Sequence, residues 1–417
     1  MPGLLSVDEA LNLIEQHAEP LAPARVALED SLGATLAEDI TSDVDSPPHD
    51  KAMMDGYAVR SGEGAGRGDA TLRVIEEVFA GDVPTRAVGA GEATRIMTGA
   101  PMPAGADTVV PVEKTESVGD TVRLLAEPPP AGKHVMPRGE AMRAGQVVLE
   151  RGAVIRAAQV GLLAEVGAAG VPVVQRPTVA VLPTGAELVD AAHKPGPGQT
   201  RNSNGPMLLA AAREAGAETI DAGVATDQRA PLRQAILAAR GADVLLLSGG
   251  VSAGDRDLAP AVLAELGVEK VFHKVAVKPG KPLWFGVWPA SSQNQSLTGN
   301  PPSPTYVFGL PGNPVSSFVC FHLFARPLIA ELAGQGFKAL PSAEAELVAG
   351  VSQPGGRETY LPARMASHRG KPPLVEPVRW RGSADLVGLS AADALIRLPA
   401  EPAELATGDR VETRLLP

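Results

Sequence analysis

The hydrophobic and polar positions of the chain follow different patterns in successive regions. Residues 6–40 show a helical pattern, and Ser6 stands three residues before Glu9, the spacing of a capping box at a helix start. Between residues 46 and 140, short β-branched runs are broken by Gly and Pro, which is typical of strands joined by turns. Helical spacing returns at residues 157–166. The pattern predicts helical segments on either side of a mostly β insertion.

From residue 178 onward, apolar strand-like runs alternate with helical runs. The predicted strands are residues 178–182, 219–224, 243–247, 270–277 and 306–310, and the predicted helices are residues 206–215, 229–240, 257–266 and 315–332. Strands that alternate with helices of this length pair in parallel through right-handed crossovers. After Pro341 the chain returns to short strands, which predicts a small C-terminal β domain.

These patterns predict a multidomain protein of the α/β plus β class. We expect residues 1–45 and 141–177 to form a discontinuous helical linker domain and residues 46–140 to form the inserted β domain. Residues 178–335 are predicted to be a doubly wound, mostly parallel α/β domain, and residues 336–417 the small C-terminal β domain. A chain of 417 residues is long enough for several domains.

Composition narrows the classes of function. Gly (45) and Pro (39) are more frequent than in average proteins, in keeping with many turns. The net charge of −11 repels the phosphates of nucleic acids and anionic membranes, and aromatic residues, at 3%, are too few for a base-stacking surface. No apolar run approaches the roughly 20 residues of a membrane span. We therefore expect a cytoplasmic protein that binds neither nucleic acid nor membrane.

The single cysteine, Cys320, lies in the apolar stretch Phe318-Val319-Cys320-Phe321. Free cysteines in such surroundings are usually buried and behave as small hydrophobic residues. One cysteine excludes an internal disulfide and a thiolate zinc cluster. We therefore expect Cys320 to be a buried, inert thiol.

Residues capable of chemistry follow the predicted strands of the α/β domain. In an open α/β sheet, ligands bind beyond the carboxyl ends of the strands. The polar and glycine residues at these ends are Thr184, Gly185, Glu187, Asp227, Ser248, Gly249, Gly250, Ser252, Asp257, Lys278, Lys281, Pro311 and Asn313. Five consecutive loops on one edge predict one pocket.

Two features of these loops favour an anionic ligand, and each has a simpler alternative. Gly249 and Gly250 allow backbone N–H groups to approach an oxyanion, although Ser-Gly-Gly alone is more often an ordinary turn. The chain has 10 Lys against 27 Arg, yet four Lys lie within residues 270–281. Lys278 and Lys281, at the end of a predicted strand, suit a phosphate or another oxyanion; the alternative is a solvated basic turn.

Three carboxylates, Glu187, Asp227 and Asp257, follow three different strands at this edge. Carboxylates beside lysines favour a divalent cation held against a phosphate, and Mg²⁺ prefers oxygen ligands combined with substrate phosphate. Asp257 also suits the role of a helix cap. The sequence has no HExxH zinc motif, no GxGxxG after the first strand of the α/β domain and no P-loop, so it does not predict a zinc hydrolase or the two common nucleotide folds.

Seven motifs, in this order, resemble those of the molybdopterin molybdenumtransferases, the MoeA family that includes the gephyrin E domain. They are Met54-Asp55-Gly56-Tyr57-Ala58-Val59, Ile96-Met97-Thr98-Gly99-Ala100-Pro101, Arg138-Gly139-Glu140, Thr184-Gly185-Ala186-Glu187-Leu188, Ser248-Gly249-Gly250-Val251-Ser252, Lys278-Pro279-Gly280-Lys281-Pro282 and Leu310-Pro311-Gly312-Asn313-Pro314-Val315-Ser316. The resemblance extends from the first predicted helix to the C terminus.

The resemblance implies an elongated four-domain protomer in a homodimer whose active cleft is shared between subunits. The implied reaction is the Mg²⁺-dependent insertion of molybdate into adenylylated molybdopterin, which releases AMP and forms molybdenum cofactor. It further implies handover of the substrate from a molybdopterin adenylyltransferase.

The resemblance also implies roles for individual residues. It places Asp55 and Thr98 in the cleft of the partner subunit and gives catalytic roles to Glu187, Asp227, Asp257, Lys278 and Lys281, with the three carboxylates as metal ligands. Ser383 is expected to help hold molybdate from the C-terminal domain. The implied cofactor-binding set is Thr184, Gly185, Ser203, Asn204, Ser248, Gly249, Gly250, Ser252, Pro311, Asn313 and Ser383.

The sequence departs from the family pattern where carboxylates are common. Ala141 follows Arg-Gly-Glu, Ala186 stands before Glu187, and Asn202 occupies a usual Asp position; Ala52-Met53 is also altered. One alternative is therefore a catalytically weakened paralogue that acts as a molybdopterin-binding or scaffolding dimer. Another is a pterin adenylyltransferase on the same α/β unit, but the inserted and C-terminal β domains favour the transferase.

Overall fold

The structure, a computed structural model, describes residues 4–63, 70–251, 258–290, 303–366, 372–379 and 381–417. The chain divides into two compact units. The first unit consists of Met1–Arg25, Gly33–Ala37 and Pro172–Pro417. The second unit consists of Val26–Leu32 and Glu38–Val171. The multidomain α/β plus β architecture predicted from the sequence is confirmed.

Helices form the smaller part of the described secondary structure. The α-helices are α1 (Val7–His17), α2 (Ala157–Glu165), α3 (Asn204–Glu214), α4 (Arg229–Ala238), α5 (Ala259–Glu265), α6 (Pro314–Cys320), α7 (Arg326–Leu332) and α8 (Leu386–Leu389). Two short 3₁₀ helices cover Leu28–Asp30 and Val112–Lys114, and a π-helix covers Phe321–Ala325.

Strands occupy most of the remaining secondary structure. As far as residue 174 they are β1 (Pro23–Ala27), β2 (Thr35–Leu36), β3 (Ile40–Thr41), β4 (Lys51–Ala52), β5 (Gly56–Val59), β6 (Thr71–Val78), β7 (Glu92–Ile96), β8 (Thr108–Pro111), β9 (Thr115–Val118), β10 (Thr121–Leu124), β11 (Val135–Met136), β12 (Val147–Leu149) and β13 (Gly170–Val174). Beyond it they are β14 (Thr178–Pro183), β15 (Leu188–Val189), β16 (Thr200–Arg201), β17 (Glu218–Asp221), β18 (Val244–Ser248), β19 (Glu269–His273), β20 (Val277–Lys278), β21 (Trp284–Trp288), β22 (Thr305–Leu310), β23 (Ser342–Leu347), β24 (Val351–Gln353), β25 (Glu358–Ala366), β26 (Leu374–Pro377), β27 (Ala394–Leu398), β28 (Ala403–Leu405) and β29 (Arg410–Leu415).

The first unit contains a six-stranded sheet in the order β17-β14-β18-β22-β21-β19. The strands β17, β14, β18 and β22 pair in parallel, whereas β21 is antiparallel to both of its neighbours. Successive residues of a strand point to opposite faces, and β14 divides accordingly: Val179 and Val181 join one core, Ala180 and Leu182 the other. Helices α1, α3, α6 and α7 contribute to the first core and α4 and α5 to the second, so the sheet is doubly wound as predicted.

The predicted strand 270–277 proved to be two strands in different sheets. Strand β19 ends at His273, and Lys274 has a φ of +76° that turns the chain. Strand β20 then pairs in parallel with β25 of the C-terminal sheet, where Val277 lies opposite Glu358 and Lys278 opposite Thr359. A sequence pattern describes local spacing and cannot show a change of sheet within one apolar run.

The prediction of a helical segment over residues 6–40 is correct only for α1. Its capping box is formed: Ser6 Oγ accepts from the Glu9 amide at 3.1 Å, and Glu9 Oε2 accepts from the Ser6 amide at 2.7 Å. Beyond α1, strands β1 to β3 and one 3₁₀ turn replace the helix. Pro20 and Pro23 explain the difference, because proline disfavours a helical conformation at itself and at the preceding residue.

The second unit is built mainly from a six-stranded sheet in the order β8-β5-β7-β6-β10-β9. Strand β5 is fully buried and pairs antiparallel with both β7 and β8. A core on one face includes Tyr57, Val59 and Val110, and a core on the other includes Ala58, Ile96 and Val109. The mostly β character predicted for this region is confirmed.

The C-terminal strands close into a small barrel-like sheet. Its order is β20-β25-β26-β23-β29-β27, and β27 also pairs with β25, so five strands form a ring with β20 attached to it. Arg397 binds Glu358 through Nε at 2.9 Å and Glu412 through Nη1 at 2.7 Å. The hydrogen bonds to Glu358 and then to Glu412 raise the pKa of Arg397. The same Glu358 accepts a hydrogen bond from the Tyr360 hydroxyl. This network fixes the start of β25, beside the strand that carries Lys278.

The long predicted helix 315–332 forms as α6, the π-helix and α7 in one run. This run of 19 residues, Pro314–Leu332, is apolar and long enough to cross a membrane, contrary to our expectation. However, 78% of its apolar 18-residue window is buried within the protein. Cys320 is fully buried here, as predicted, and burial raises the pKa of its thiol. His322 is also fully buried between Phe318 and Phe321, and neither ring nitrogen has a partner in the part of the chain that the structure describes.

His322 should make the first unit sensitive to acid. Burial, assisted by the charge of Arg326, lowers the pKa of His322 from 6.5 to about 3. Between pH 6.5 and 3 the unfolded chain binds a proton on this histidine that the folded chain excludes. The free energy of unfolding is therefore highest above pH 6.5 and falls as the pH decreases toward 3. We expect the free energy of unfolding to fall by about 2 kcal/mol between pH 6.5 and 5 because of this residue.

Denaturant unfolding of His322→Leu across this pH range tests the assignment. The variant should show a smaller loss of stability with acid than the wild type. The exposed His49, changed to Leu, is the matched control and should leave the pH slope unchanged. A wild-type slope in His322→Leu would show that another group is responsible.

Candidate functional site

The carboxyl ends of β14, β18 and β22 open into a pocket of about 870 Å³. Register places these ends side by side, because Pro183 pairs with Ser248 and Ser248 with Leu310. The pocket is lined by Pro183, Thr184, Glu187, Leu188, Thr200, Arg201, Asn202, Ser203, Asn204, Asp227, Ser248, Gly249, Gly250, Val251, Pro282, Pro311, Gly312, Asn313, Pro314, Ala384 and Leu386. The whole wall belongs to the first unit. The structure therefore has a pocket at the edge of the sheet where the sequence predicted one.

Ten of the predicted site residues lie in this wall. They are Thr184, Glu187, Ser203, Asn204, Asp227, Ser248, Gly249, Gly250, Pro311 and Asn313. Gly185, Lys278, Lys281 and Ser383 lie in neighbouring segments outside the wall. Ser252 and Asp257 fall outside the described residues, and Asp55 and Thr98 belong to the second unit.

The glycine loop approaches the end of β14 closely. Gly249 and Gly250 have φ values of +97° and +62°, and Cβ atoms at these positions would stand 2.7 Å from the Thr184 carbonyl oxygen and 2.9 Å from Thr184 Oγ1. The Gly249 amide donates to the Leu310 carbonyl at 3.1 Å, so it does not point to a ligand as we expected of both glycine amides. The Gly250 amide has no acceptor among the described residues. Thr184 Oγ1, although buried, is likewise without a partner there.

Two carboxylates enter the pocket from neighbouring loops. Glu187 folds back over Gly185, where any side chain would meet its carboxylate, and Asp227 Oδ2 accepts from the Ala186 amide at 3.4 Å. Within the described ranges no group of three or more His, Cys, Asp or Glu side chains is placed to hold a metal ion. Two carboxylates with the free Thr184 hydroxyl nevertheless suit Mg²⁺, which binds through one or two carboxylates, water and substrate phosphate.

Asn204, the first residue of α3, has a fixed amide orientation. Its Nδ2 donates to Ser248 Oγ and to the Gly312 carbonyl, both at 2.8 Å. Gly312 offers only an acceptor, so the amide cannot be reversed without placing two oxygens together. The buried Oδ1 is left without a partner within the described structure. The pocket therefore offers a buried acceptor to a ligand that donates a hydrogen bond.

Asn202 has a structural function at the start of the same helix. Its Oδ1 accepts from the Gly205 amide at 2.9 Å, which satisfies one of the free N–H groups at the helix N terminus. An aspartate at this position could accept the same bond. The amide therefore removes one negative charge from the pocket and keeps the cap.

The predicted lysines lie on a turn that borders the pocket. Lys281 is exposed and precedes Pro282, which lines the wall, whereas Lys278 is half-buried and belongs to β20. The turn between them packs on α6, where a Cβ built on Gly280 would overlap Cys320 Sγ. Arg357, which our sequence analysis did not identify, donates to the Val277 carbonyl at 3.4 Å and so adds a third cation beside the turn.

The C-terminal segment 381–386 completes one side of the pocket. Asn313 Nδ2 donates to Ser383 Oγ at 2.8 Å, and the Val315 amide donates to the Ser383 carbonyl at 3.0 Å. Ala384 and Leu386 then line the wall. Ser383 thus acts as an anchor of this segment on the start of α6, outside the wall itself.

Arg201 is a lining residue that sequence reasoning missed. It pairs with Val189 in the two-stranded sheet of β15 and β16, and its Nε donates to the His193 carbonyl at 2.9 Å. The sequence offered one indication that Arg201 lies at the site, namely its position next to Asn202 and just before the start of α3. The long Gly- and Pro-rich loop before it obscured the strand.

In the second unit, the structure brings Asp55 and Thr98 together. Asp55 Oδ1 accepts from both the hydroxyl and the amide of Thr98 at 2.7 Å. The hydrogen bond from the hydroxyl has the larger effect and the bond from the amide the smaller, and both lower the pKa of Asp55. Two motifs that are 43 residues apart in the sequence therefore form one exposed carboxylate–hydroxyl pair.

Comparison with known proteins gives a consistent result over the whole chain. Three family models match: the MoeA N-terminal region (domain I and II) at residues 5–167, a probable molybdopterin binding domain at residues 180–331, and the MoeA C-terminal region (domain IV) at residues 344–416. The chain is 34% identical to the molybdopterin molybdenumtransferase of Bacillus subtilis, over 99% of this chain and 94% of the relative. It is also 34% identical to molybdopterin molybdenumtransferase 2 of Mycobacterium tuberculosis, over 98% of both chains.

Solved structures agree with these relatives. A crystal structure of the molybdopterin biosynthesis moeA protein of Pyrococcus horikoshii is 33% identical, with a TM-score of 0.80 and 99% of both chains covered. A second structure from the same organism is 27% identical with a TM-score of 0.79, covering 99% of this chain and 100% of that one.

Substitution of Gly280 should destabilise the lysine turn. Gly280→Ala would combine a φ of +123°, which side chains rarely adopt, with an overlap against Cys320. We expect a loss of about 2–4 kcal/mol in the free energy of unfolding. Gly216→Ala is the matched control, because Gly216 has a φ of +89° and nothing within 4 Å of its Cβ position. Gly280→Ala should lose more stability than Gly216→Ala, because only the first suffers the steric overlap. Adding Cys320→Ala to Gly280→Ala should restore part of the lost stability. Equal losses in Gly280→Ala and Gly216→Ala would show that the overlap is absent.

Proposed function

Because the chain belongs to the molybdopterin molybdenumtransferase family and is an enzyme of molybdenum cofactor biosynthesis, we propose that it inserts molybdate into adenylylated molybdopterin. The proposed reaction requires Mg²⁺, releases AMP and yields molybdenum cofactor. The observation that carries the proposal is the pocket at the ends of β14, β18 and β22. Its volume suits a drug-sized ligand, and its wall combines carboxylates, a glycine loop and unpaired buried polar atoms.

The proposed mechanism is electrostatic and positional. Lys278 and Lys281, with Arg357 beside them, would attract molybdate and offset its charge. Asn204 Oδ1 and Thr184 Oγ1 would accept and donate hydrogen bonds that orient the organic substrate in the pocket. Ser383 would act by holding the C-terminal segment against Asn313, which keeps that side of the pocket closed.

Glu187 and Asp227 would hold Mg²⁺ in this scheme, with Thr184 beside them. When bound, Mg²⁺ would neutralise the phosphoanhydride of the adenylylated substrate. The two carboxylates otherwise repel an anionic substrate, so the wall itself supports a requirement for a cation. Asp257 stays in the proposed metal set on the resemblance alone.

We further propose that the enzyme is a cytoplasmic homodimer and that Asp55 and Thr98 complete the cleft of the partner subunit. The support is the paired, exposed arrangement of these two residues, which lie next to the ends of strands β5 and β7. The substrate would be received from a molybdopterin adenylyltransferase, and neither nucleic acid nor a membrane is expected to take part.

The main alternative is a paralogue that binds molybdopterin without turnover. Ala141, Ala186 and Asn202 favour it, because each removes a carboxylate that is common in the family. The retained pair Glu187 and Asp227 favours an active enzyme. A pterin adenylyltransferase would instead consume ATP.

The deciding experiment is AMP release by the purified protein from adenylylated molybdopterin and Mg²⁺, with and without molybdate. Molybdate-dependent release, with a product that reconstitutes a molybdoenzyme, supports the transferase. Binding without release would support the paralogue, and ATP consumption with free molybdopterin would support the adenylyltransferase.

Lys281→Ala should lower activity far more than stability. Lys281 is exposed and has no carboxylate partner among the described residues, so it contributes little to folding. We expect a loss of about 100-fold in molybdate-dependent AMP release and a change below about 0.5 kcal/mol in the free energy of unfolding. Lys270→Ala, an exposed lysine of β19, is the control and should retain activity. Parallel losses of fold and activity in Lys281→Ala would contradict the assignment.

A shared cleft makes a distinctive prediction for mixed dimers. Asp55→Ala and Glu187→Ala should each be inactive, because each damages both clefts of a symmetric homodimer. A heterodimer of the two variants should regain about half of the wild-type activity, because one of its two clefts then contains no substitution. Differently tagged chains, co-expressed and purified through both tags, provide this species.

Asp39→Ala is the control for Asp55→Ala. Asp39 is also exposed and accepts a backbone N–H, that of Arg151 at 2.7 Å, but is not proposed to line the cleft. Its variant should be active alone. Heterodimers of Asp55→Ala and Glu187→Ala that form but stay inactive would refute a cleft shared in this way.

A further inference from the structure

The charge distribution in the pocket singles out Arg201. Among the lining residues that the structure describes, the charged side chains are Glu187, Asp227 and Arg201. The wall therefore has one cation against two carboxylates. The lysine turn, which the sequence favoured as the anion site, borders the wall without lining it.

The position of Arg201 is fixed at both its backbone and its side chain. Its backbone lies in β16, paired with Val189, and the Thr200 amide donates to the Glu187 carbonyl at 2.9 Å. Its Nε donates to the His193 carbonyl at 2.9 Å. One edge of the guanidinium is therefore occupied, which limits how the rest of the group can turn.

The two terminal nitrogens of the Arg201 guanidinium have no partner among the residues that the structure describes. Glu187 and Asp227 line the same pocket, yet neither forms an ion pair with Arg201, and no other carboxylate of the described residues does so. Some of the described arginines do pair, as Arg397 does with Glu358 and Glu412. An unpaired guanidinium in the wall of a pocket is available to an external anion.

We propose that Arg201 binds the nucleotide phosphate of the substrate and of the product AMP. The planar group can donate two parallel hydrogen bonds to a phosphate, which a lysine cannot do. The identity of this anion rests on the proposed function. The assignment separates two anions: Arg201 receives the phosphate within the pocket, and the lysine turn at its border is left for molybdate.

The proposal is tested by calorimetric titration of the full-length protein with AMP, adenosine and molybdate in the presence of Mg²⁺. Arg201→Gln should weaken AMP binding by about 10- to 100-fold, the usual effect of losing a charge-assisted hydrogen bond. Adenosine, which lacks the phosphate, and molybdate should bind as they do to the wild type. Arg201→Lys should retain part of the AMP affinity, because lysine keeps the positive charge but cannot donate two parallel hydrogen bonds.

Arg233→Gln is the matched control, because Arg233 is an exposed arginine of α4 outside the pocket wall. It should leave all three affinities unchanged. Equal weakening of AMP and adenosine by Arg201→Gln would indicate a structural effect and overturn the proposal. So would unchanged AMP affinity, or weakening of molybdate alone.

The titration also separates this inference from the proposed function. If the wild type releases AMP in a molybdate-dependent manner but Arg201→Gln binds AMP normally, the function stands and the inference fails. If molybdate-dependent release is absent and Arg201→Gln still weakens AMP relative to adenosine, the phosphate site stands and the proposed reaction fails.

Discussion

The parallel register of β14, β18 and β22 is the constraint on which the rest of the site depends. Because Pro183, Ser248 and Leu310 lie at one level, the loops that follow these strands begin side by side. Backbone bonds then join them: the Thr184 amide donates to the Ser248 carbonyl at 2.8 Å, and the Gly249 amide to Leu310. A shift of one residue in any of these strands would turn its side chains to the opposite face and separate the loops. The backbone therefore sets the positions of these loops, and Thr184 Oγ1 and Asn204 Oδ1 are not needed to hold them.

The pocket and the C-terminal ring differ in how completely their polar groups are paired. In the C-terminal ring, Arg397 is surrounded by partners and its network is satisfied. In the pocket, Thr184 Oγ1 and Asn204 Oδ1 are buried without partners in the described structure, and such groups typically cost about 1–3 kcal/mol each when nothing binds them. The site thus gives up stability that a bound substrate can restore, and this is a physical reason for ligand binding to stabilise the first unit.

Much of the α/β core could be predicted, because alternating strands and helices leave a clear hydrophobic pattern in the sequence. Ligands of such sheets bind beyond the carboxyl ends of the strands, so the loops that follow the strands could be assigned to the site. That reasoning brought Thr184, Glu187, Asp227 and Asn313 to one pocket. It could not show that β20 leaves this sheet, that the Gly249 amide is already used by Leu310, or that Arg201 reaches the wall, because each depends on a partner distant in sequence. The helical prediction near the N terminus failed for the opposite reason: it gave too little weight to the local signal of two prolines.

The membership of β20 in the C-terminal sheet has a consequence for how the gene can change. Lys278 is encoded with the α/β domain, but its strand is completed by β25, 80 residues later. Recombination between relatives at the apparent border near residue 335 would join the lysine turn of one parent to the sheet edge of another. Exchange at this border would therefore alter the position of a catalytic candidate without changing any residue of the lysine turn itself. The two segments should be inherited together, although the sequence between them looks like a natural place to cut.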